Sequence, residues 1–223
     1  RAFYERYHYP ADRLFHSPHC VDTEWFAARA TAESGNALRG RLGIGLQEKV
    51  VLFAGKMLPF KRPLDIIDAW PLTESRPRLL FAGSGDLEGA LAARAGELGA
   101  PLHQLGFLNQ TEMPAAYAAA DILVLPSTAR ETWGLVANEA LACGVPVVVS
   151  DAAGCAPDLA ADGLAGAVFP MGDVGALAQA IDATLVRPPT ADAIASRSAA
   201  YGLSAAADGI EAGLAAVRRR SAR

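Results

Sequence analysis

Glu131 and Glu139 bracket the segment Glu131-Thr-Trp-Gly-Leu-Val-Ala-Asn-Glu139. A carboxylate accepts hydrogen bonds from two neighbouring hydroxyls at once, which is the chemistry of diol binding. The segment follows an apolar run, Ile122–Leu125, and a Pro126-Ser127 turn, and it reads as the opening of a helix near Trp133. The N–H groups of a first helical turn have no partner inside the helix and form an anion site. Gly134 carries no side chain, so a phosphate can approach the backbone there. One carboxylate near each end of a diphosphate would suit a ribose diol on one side and a sugar diol on the other. The same pair also has a plainer origin, because acidic residues are favoured at helix starts by the helix dipole alone.

The elements that must hold these residues alternate in kind. Val50–Ala54, Leu79–Ala82, Leu102–Leu105, Ile122–Leu125, Val145–Val149 and Val168–Phe169 read as strands. Pro63–Trp70, Leu87–Leu98, a stretch to Ala119 capped by Thr111, Trp133–Cys143 and Val174–Val186 read as helices between and after them. Strands alternating with helices of about ten residues predict βαβ units. Nearly all-apolar strands predict a sheet covered on both faces. The fold class is therefore α/β, a Rossmann-like parallel sheet with helices on both faces. Ligands of such sheets sit beyond the carboxyl ends of the strands. Gly55-Lys56, Gly83-Ser84-Gly85, Gly106-Phe107, Pro126-Ser127 and Ser150-Asp151 all stand at such ends.

Composition excludes several other classes. The chain of 223 residues is 52% hydrophobic and 20% charged, enough to bury a core. A net charge of −4 is the wrong sign for a general nucleic-acid binder. Cys20, Cys143 and Cys155 are too few and too scattered for a disulfide framework, and they fit a reducing compartment. No apolar run is long enough for a transmembrane helix. Gly83-x-Gly85 does not make a dinucleotide fingerprint: the glycines follow the second strand rather than the first, and Gly89 falls one place too late. His16-x2-His19-Cys20 has either the look of a metal site or that of a loop stiffened by Pro18. Asp22 suits a turn or a contact across a domain interface. Residues 203–220 read as one more helix, whose Arg218-Arg219-Arg220 end fits either anionic lipid or an ordinary basic helix terminus.

The run Pro126-Ser127-x3-Glu131-x-Trp133-Gly134-Leu135-Val136-x2-Glu139-Ala140-x-Ala142-Cys143-Gly144-Val145-Pro146-Val147-Val148 is similar to the signature of the family-4 retaining glycosyltransferases, the glycosyl transferases group 1. That family has the GT-B architecture of two Rossmann-like domains. Gly55-Lys56…Lys61 resembles its Gly-Arg-x4-Lys block, and Ala82-Gly83-Ser84-Gly85 its second-strand glycine turn. Leu105-Gly106-Phe107 and Gly154-x2-Pro157-Asp158…Gly163-x2-Gly166…Pro170-x-Gly172-Asp173 fit later blocks. The resemblance runs from about Leu14 to Ala180, with Leu14–Asp22 similar to the hinge that leads out of the acceptor-binding domain.

The resemblance implies roles. Glu131 would contact hydroxyls of the transferred sugar, with backbone N–H groups of Trp133, Gly134, Leu135 and Val136 near sugar and phosphate. Glu139 would bind the ribose diol. Lys56 and Lys61 would neutralise the diphosphate beside Gly55 and Gly83, and the backbone at Phe107 would receive the base. A leaving diphosphate gains charge in the transition state, and two lysines with a helix N-terminus can stabilise it. Glu131, Lys61 and Lys56 are therefore the expected catalytic groups, with no metal and no cofactor beyond the sugar nucleotide. Lys56 stands where the family often has Arg, which keeps the charge and loses the planar two-pronged contact.

The expected organisation is a hinge or tail of an absent N-terminal acceptor domain over residues 1–24. The nucleotide-sugar domain would occupy residues 25–202, with a C-terminal helix over 203–223 packing back toward the absent domain. The whole enzyme would move a sugar from a UDP- or GDP-sugar to an acceptor hydroxyl with retention. The acceptor would be a glycan, a lipid or a small molecule held by the absent domain, in the cytoplasm or in peripheral contact with the inner membrane face. The alternatives are a GT-B relative with epimerase or phosphorylase chemistry, a non-catalytic nucleotide-binding module, and an ordinary Rossmann dehydrogenase.

Overall fold

The computed structural model describes residues 2–221, and the side chains of Ala2, Arg220 and Ser221 lie outside what is described. Six strands form one parallel sheet: β1 (Val50–Ala54), β2 (Arg78–Ala82), β3 (Leu102–Gly106), β4 (Ile122–Leu125), β5 (Val147–Ser150) and β6 (Gly166–Phe169). Their order is β3-β2-β1-β4-β5-β6. The helices are α1 (Ala2–Arg6), α2 (Thr23–Arg29), α3 (Ala32–Leu42), α4 (Pro63–Ala69), α5 (Glu88–Leu98), α6 (Met113–Ala118), α7 (Leu135–Ala142), the single turn α8 (Ala156–Leu159), α9 (Val174–Val186), α10 (Ala191–Ala199) and α11 (Leu203–Ser221).

The all-apolar strands follow from the two-sided burial. Val50, Leu52 and Ala54 face one layer with α2, α3, α6, α7 and α10. Val51 and Phe53 face the other, with α4, α5 and α9. Successive side chains of a strand point to opposite faces, so a strand sandwiched between helices must be apolar at every position. β1, β4 and β5 are accordingly buried throughout, while the edge strand β3 is only half-buried.

The sheet order reverses between β1 and β4, which pair directly. Chain direction through the crossovers diverges there, leaving a crevice at the carboxyl ends of these two strands. The segments that leave β1 and β4 are tied together across the crevice by the Thr128 N–H donating to the Phe60 carbonyl at 2.9 Å.

Several local expectations need correction. Thr111 does not cap a helix. Its N–H and that of Glu112 donate to Asn109 Oδ1 at 2.9 and 3.2 Å, while the Glu112 carboxylate accepts the Asn109 N–H at 2.9 Å. Reciprocal bonding closes this turn, and α6 starts only at Met113, with Pro114 in its first turn. α7 begins at Leu135, not Trp133, and β5 at Val147, not Val145. α2, α3 and α10 are not among the helices expected from periodicity, although their caps are plain. Asp22 accepts from Trp25 N–H at 2.9 Å, Thr31 from Ser34 N–H at 3.1 Å and Thr190 from Ala193 N–H at 3.2 Å. Asp22 is thus a helix cap, a role that satisfies a free first-turn donor.

The N-terminal segment and α11 lie together. Ser17 Oγ donates to the Ala206 carbonyl at 2.9 Å, and Val21 pairs with Gly202 in an isolated parallel bridge. Arg218 and Arg219 are exposed near the end of α11. Among the described residues no helix is long and apolar enough to cross a membrane.

Candidate functional site

A cavity of about 270 Å³ opens at the carboxyl ends of β1 and β2, lined by Gly55, Lys56, Gly83, Phe107, Val136 and Glu139 together with Ala54, Ala82, Ser84, Leu108 and Met113. Six expected site residues thus meet in one hollow. Phe107 follows β3 and is 76% exposed. An aromatic ring left to water at the rim of a cavity is suited to packing against a flat ligand.

The floor is a backbone ledge. Past the last strand residues the hydrogen bonding continues: Gly55 N–H to the Ala82 carbonyl at 2.9 Å, Gly83 N–H to the Gly106 carbonyl at 2.8 Å and Met57 N–H to the Ser84 carbonyl at 2.9 Å. A Cβ on Gly83 would stand 1.9 Å from the Gly55 carbonyl oxygen, at a φ of +138°. The glycines after β2 therefore serve close strand-to-strand approach, and α5, which begins at Glu88, does not point a Gly-rich first turn at a dinucleotide.

Glu139 reaches the cavity from α7. Its Oε2 accepts a hydrogen bond from the Tyr117 hydroxyl at 2.6 Å. Tyr117 is fully buried on α6. Motif and spacing did not point to this partner of Glu139. The signal was present: one tyrosine in the run Pro114-Ala-Ala-Tyr-Ala-Ala-Ala, whose hydroxyl must find a partner when buried. Burial pushes the Glu139 carboxyl above its ordinary value of 4.5, and the Tyr117 hydrogen bond pulls it back part-way. Burial, reinforced by Glu139, pushes the Tyr117 hydroxyl well above 10.

A carboxyl whose folded value is raised adds stability below its unfolded value and loses it as the pH climbs through the folded value. Folding at neutral pH therefore buries a charge here at a cost. Glu139→Gln keeps an acceptor for Tyr117 and is expected to melt higher than the parent at about pH 7, with the advantage fading toward about pH 4. Thermal melts at the two values check this, and an equal or lower neutral midpoint would show that burial costs the carboxylate nothing.

Glu131 sits on the other side of the α7 start, where the segment after β4 faces the segment after β1. Lys61, in the short 3-10 turn Pro59–Lys61, pairs with Glu131 Oε2, and Ser127 Oγ donates to the same oxygen at 3.3 Å. The accessible fractions of the two paired side chains are 19% and 12%. Ser127 is itself held, because the buried Ser150 hydroxyl at the end of β5 donates to its carbonyl at 2.5 Å. The two lysines thus divide the work: Lys56 is exposed at the cavity, and Lys61 is bound to Glu131.

Gly134 caps α7 with φ +107°, and a Cβ there would stand 2.5 Å from Leu125 Cδ2. The structure adds a second reason for glycine beside the expected access for a phosphate: the left-handed turn and the core side of the residue leave no room for a side chain. Beyond it Leu135 is 45% exposed, and the free first-turn N–H groups belong to an eight-residue helix. Trp133 turns its ring away from the cavity. It stacks on His19 at 4.7 Å and Tyr201 at 5.9 Å, and its indole N–H donates to Asn138 Oδ1 at 2.8 Å. Only its backbone remains available to the site.

His16 lies against Tyr201, and among the described residues no group of three or more His, Cys, Asp or Glu is arranged to hold a metal ion. The His16–Cys20 segment is a packing element.

The family model for glycosyl transferases group 1 matches residues 36–200, well over half the chain. The chain belongs to this family. The D-inositol 3-phosphate glycosyltransferase of Mycobacterium sp. (strain KMS) is 38% identical over 161 residues, covering 69% of this chain and 36% of that protein. The GDP-mannose-dependent alpha-(1-6)-phosphatidylinositol monomannoside mannosyltransferase of Mycolicibacterium smegmatis is 33% identical over 196 residues, covering 83% of this chain and 50% of that protein. HepE from Anabaena, solved in complex with UDP-glucose, superposes with a TM-score of 0.73 at 25% identity, covering 92% of this chain and 56% of that one. This group 1 glycosyltransferase chain thus spans between about a third and a half of the length of the curated relatives it matches. The six-stranded parallel sheet is the Rossmann-like half of the GT-B architecture.

Proposed function

We propose that this chain is the donor half of a retaining glycosyltransferase that moves a sugar from a nucleoside diphosphate sugar to an acceptor hydroxyl. The observation that carries the reading is Glu139, a half-buried carboxylate held by Tyr117 in a cavity at the carboxyl ends of β1 and β2, with Lys56 and Phe107 on the same walls. The nucleoside lies in that cavity, its base at Phe107 and its ribose diol on Glu139. The diphosphate runs from Lys56 along the start of α7, and the sugar reaches Glu131.

When the sugar leaves, negative charge grows on the diphosphate. The Lys56 ammonium and the N–H groups of Leu135 and Val136 stabilise it as fixed dipoles and charge. Lys61 holds Glu131 toward the sugar hydroxyls and adds positive charge to the same region. A departing phosphate oxygen takes the acceptor's proton, and no side chain attacks the sugar. The names of relatives support a sugar-nucleotide donor: one acts on GDP-mannose and another was solved with UDP-glucose. Residues 1–24 serve as the hinge to an acceptor-binding domain, and α11, with Ile210, Leu214 and Val217 exposed, packs back toward it.

Titration calorimetry with UDP, GDP and ADP tests the donor site. At least one should bind the chain, with little or no sugar transfer by the chain alone. Glu139→Ala should weaken that nucleotide about tenfold or more, since a hydrogen bond to a charged group contributes about 1.5–3 kcal/mol. No measurable binding of any of the three would overturn the proposal.

A further inference from the structure

A carboxylate that must take two vicinal hydroxyls together has to be held in one rotation. Left free, the terminal torsion of a glutamate is broad and roughly two-fold, and freezing it opposes binding. Glu139 is not left free. α7 brings it to the cavity, and α6 brings Tyr117 up behind it, fully buried and edge-on to Phe26 with ring centroids 6.3 Å apart. The hydroxyl donates to Oε2 at 2.6 Å. It therefore occupies one acceptor position at the back of the carboxylate, while Oε1 and the remaining capacity of Oε2 are left for the cavity.

We propose that Tyr117 is a positioning residue for nucleotide recognition: its hydroxyl fixes the Glu139 carboxylate in the rotation that accepts both hydroxyls of a ribose, and so sets the preference for ribonucleotides over deoxyribonucleotides. The inference rests on the reading of Glu139 as the ribose-binding group.

The groups facing Glu139 make the role visible in pH. Tyr117 on α6 is neutral throughout the working range, as is Cys143 one turn further along α7, whose thiol burial pushes up to about 12. Lys56, from the segment after β1, lines the same cavity and is exposed. The terminal phosphate of the ligand titrates near about pH 6, equally in the ribo and deoxy forms. The acid-side loss of the preference between the two forms therefore belongs to Glu139, raised by burial and lowered by the Tyr117 hydrogen bond. Without the hydroxyl the carboxyl climbs further, and diol binding fails at a higher pH.

The test uses UDP, GDP and ADP with the 2′-deoxy form of each, titrated into parent and Tyr117→Phe from about pH 8 down to about pH 4. The parent should prefer a ribonucleotide over its deoxy form by about tenfold, the size of one charge-assisted hydrogen bond. Tyr117→Phe should lose roughly three- to tenfold in ribonucleotide affinity and less in the deoxy form, which keeps only its 3′-hydroxyl for Glu139, and the acid limb of the ribo-over-deoxy preference should move to higher pH. If the parent binds ribo and deoxy forms equally, the ribose reading of Glu139 falls. If the parent discriminates and Tyr117→Phe keeps both the preference and the pH profile, Tyr117 only fills space and the inference falls. It falls also if both nucleotide forms weaken by the same factor, because that is loss of packing. Should Tyr117→Phe not fold, difluorotyrosine at position 117 keeps the volume and makes a stronger donor. The acid limb should then move to lower pH, and an unmoved limb would overturn the proposal.

Discussion

Lys61→Ala should destabilise the chain by about 2 kcal/mol, and a second substitution, Glu131→Ala, should give part of that stability back. Breaking a buried ion pair from one side costs about 3–5 kcal/mol because the remaining charge is stranded. Here the paired side chains keep 19% and 12% of their accessibility, so water screens part of the penalty and about 2 kcal/mol remains. For a domain of this size that corresponds to a midpoint lower by about 4–8 °C. Ser127 alone cannot replace the lysine, since a neutral hydroxyl at 3.3 Å leaves the carboxylate's charge uncompensated. Removing both partners leaves no orphan charge, which is why the double variant should melt above the sum of the two single losses. On the proposed reading the same lysine adds positive charge to the diphosphate region, so nucleotide binding should fall about tenfold in both the single and the double variant. Strict additivity of the two stability losses would show that the pair is not coupled.

Gly83→Ala should be worse, with a loss above about 4 kcal/mol and failure to bind nucleotide. The added Cβ meets backbone, not a side chain that can step aside: it would stand 1.9 Å from the Gly55 carbonyl oxygen and 2.8 Å from its carbon. The φ of +138° adds strain of its own. Relief requires the ends of β1 and β2 to separate, which breaks the hydrogen bonds from Gly55 N–H to the Ala82 carbonyl and from Met57 N–H to the Ser84 carbonyl in the cavity floor. Gly96→Ala is the control. Nothing lies within 4 Å of its Cβ position, and it sits in α5. That change should stabilise by about 0.5–1 kcal/mol, the ordinary difference between the two residues in a helix. Melts and titrations of both variants check the contrast, and a Gly83→Ala protein that melts and binds like the parent would refute the ledge.

The sheet was legible in the sequence because two-sided burial leaves a direct trace. A five-residue run such as Val50–Ala54, apolar at every position and closed by glycine, is what a strand covered on both faces requires. The family signature was legible for a related reason: Glu131, Gly134 and Glu139 follow a buried strand, where parallel sheets place their ligands. The helices α2, α3 and α10 were not, since their apolar faces are short and alanine-rich and only the caps Asp22, Thr31 and Thr190 announce them. Thr111 misled for the opposite reason, as a residue of the right type beside a turn that Asn109 and Glu112 close by themselves.

What the sequence determined alone was the set of groups: two carboxylates, two lysines, the strand-end glycines and an aromatic residue after β3. Which of them act together was decided only by the tertiary structure. Lys56 and Lys61 lie five residues apart in one segment, yet one lines the cavity and the other pairs with Glu131, because the 3-10 turn at Pro59–Lys61 redirects the chain between them. Glu139 and Tyr117 come from different helices and meet only because both pack on the same face of the sheet. Local spacing encodes a helix face or a strand end, and contacts between segments that far apart depend on the packing of the whole layer.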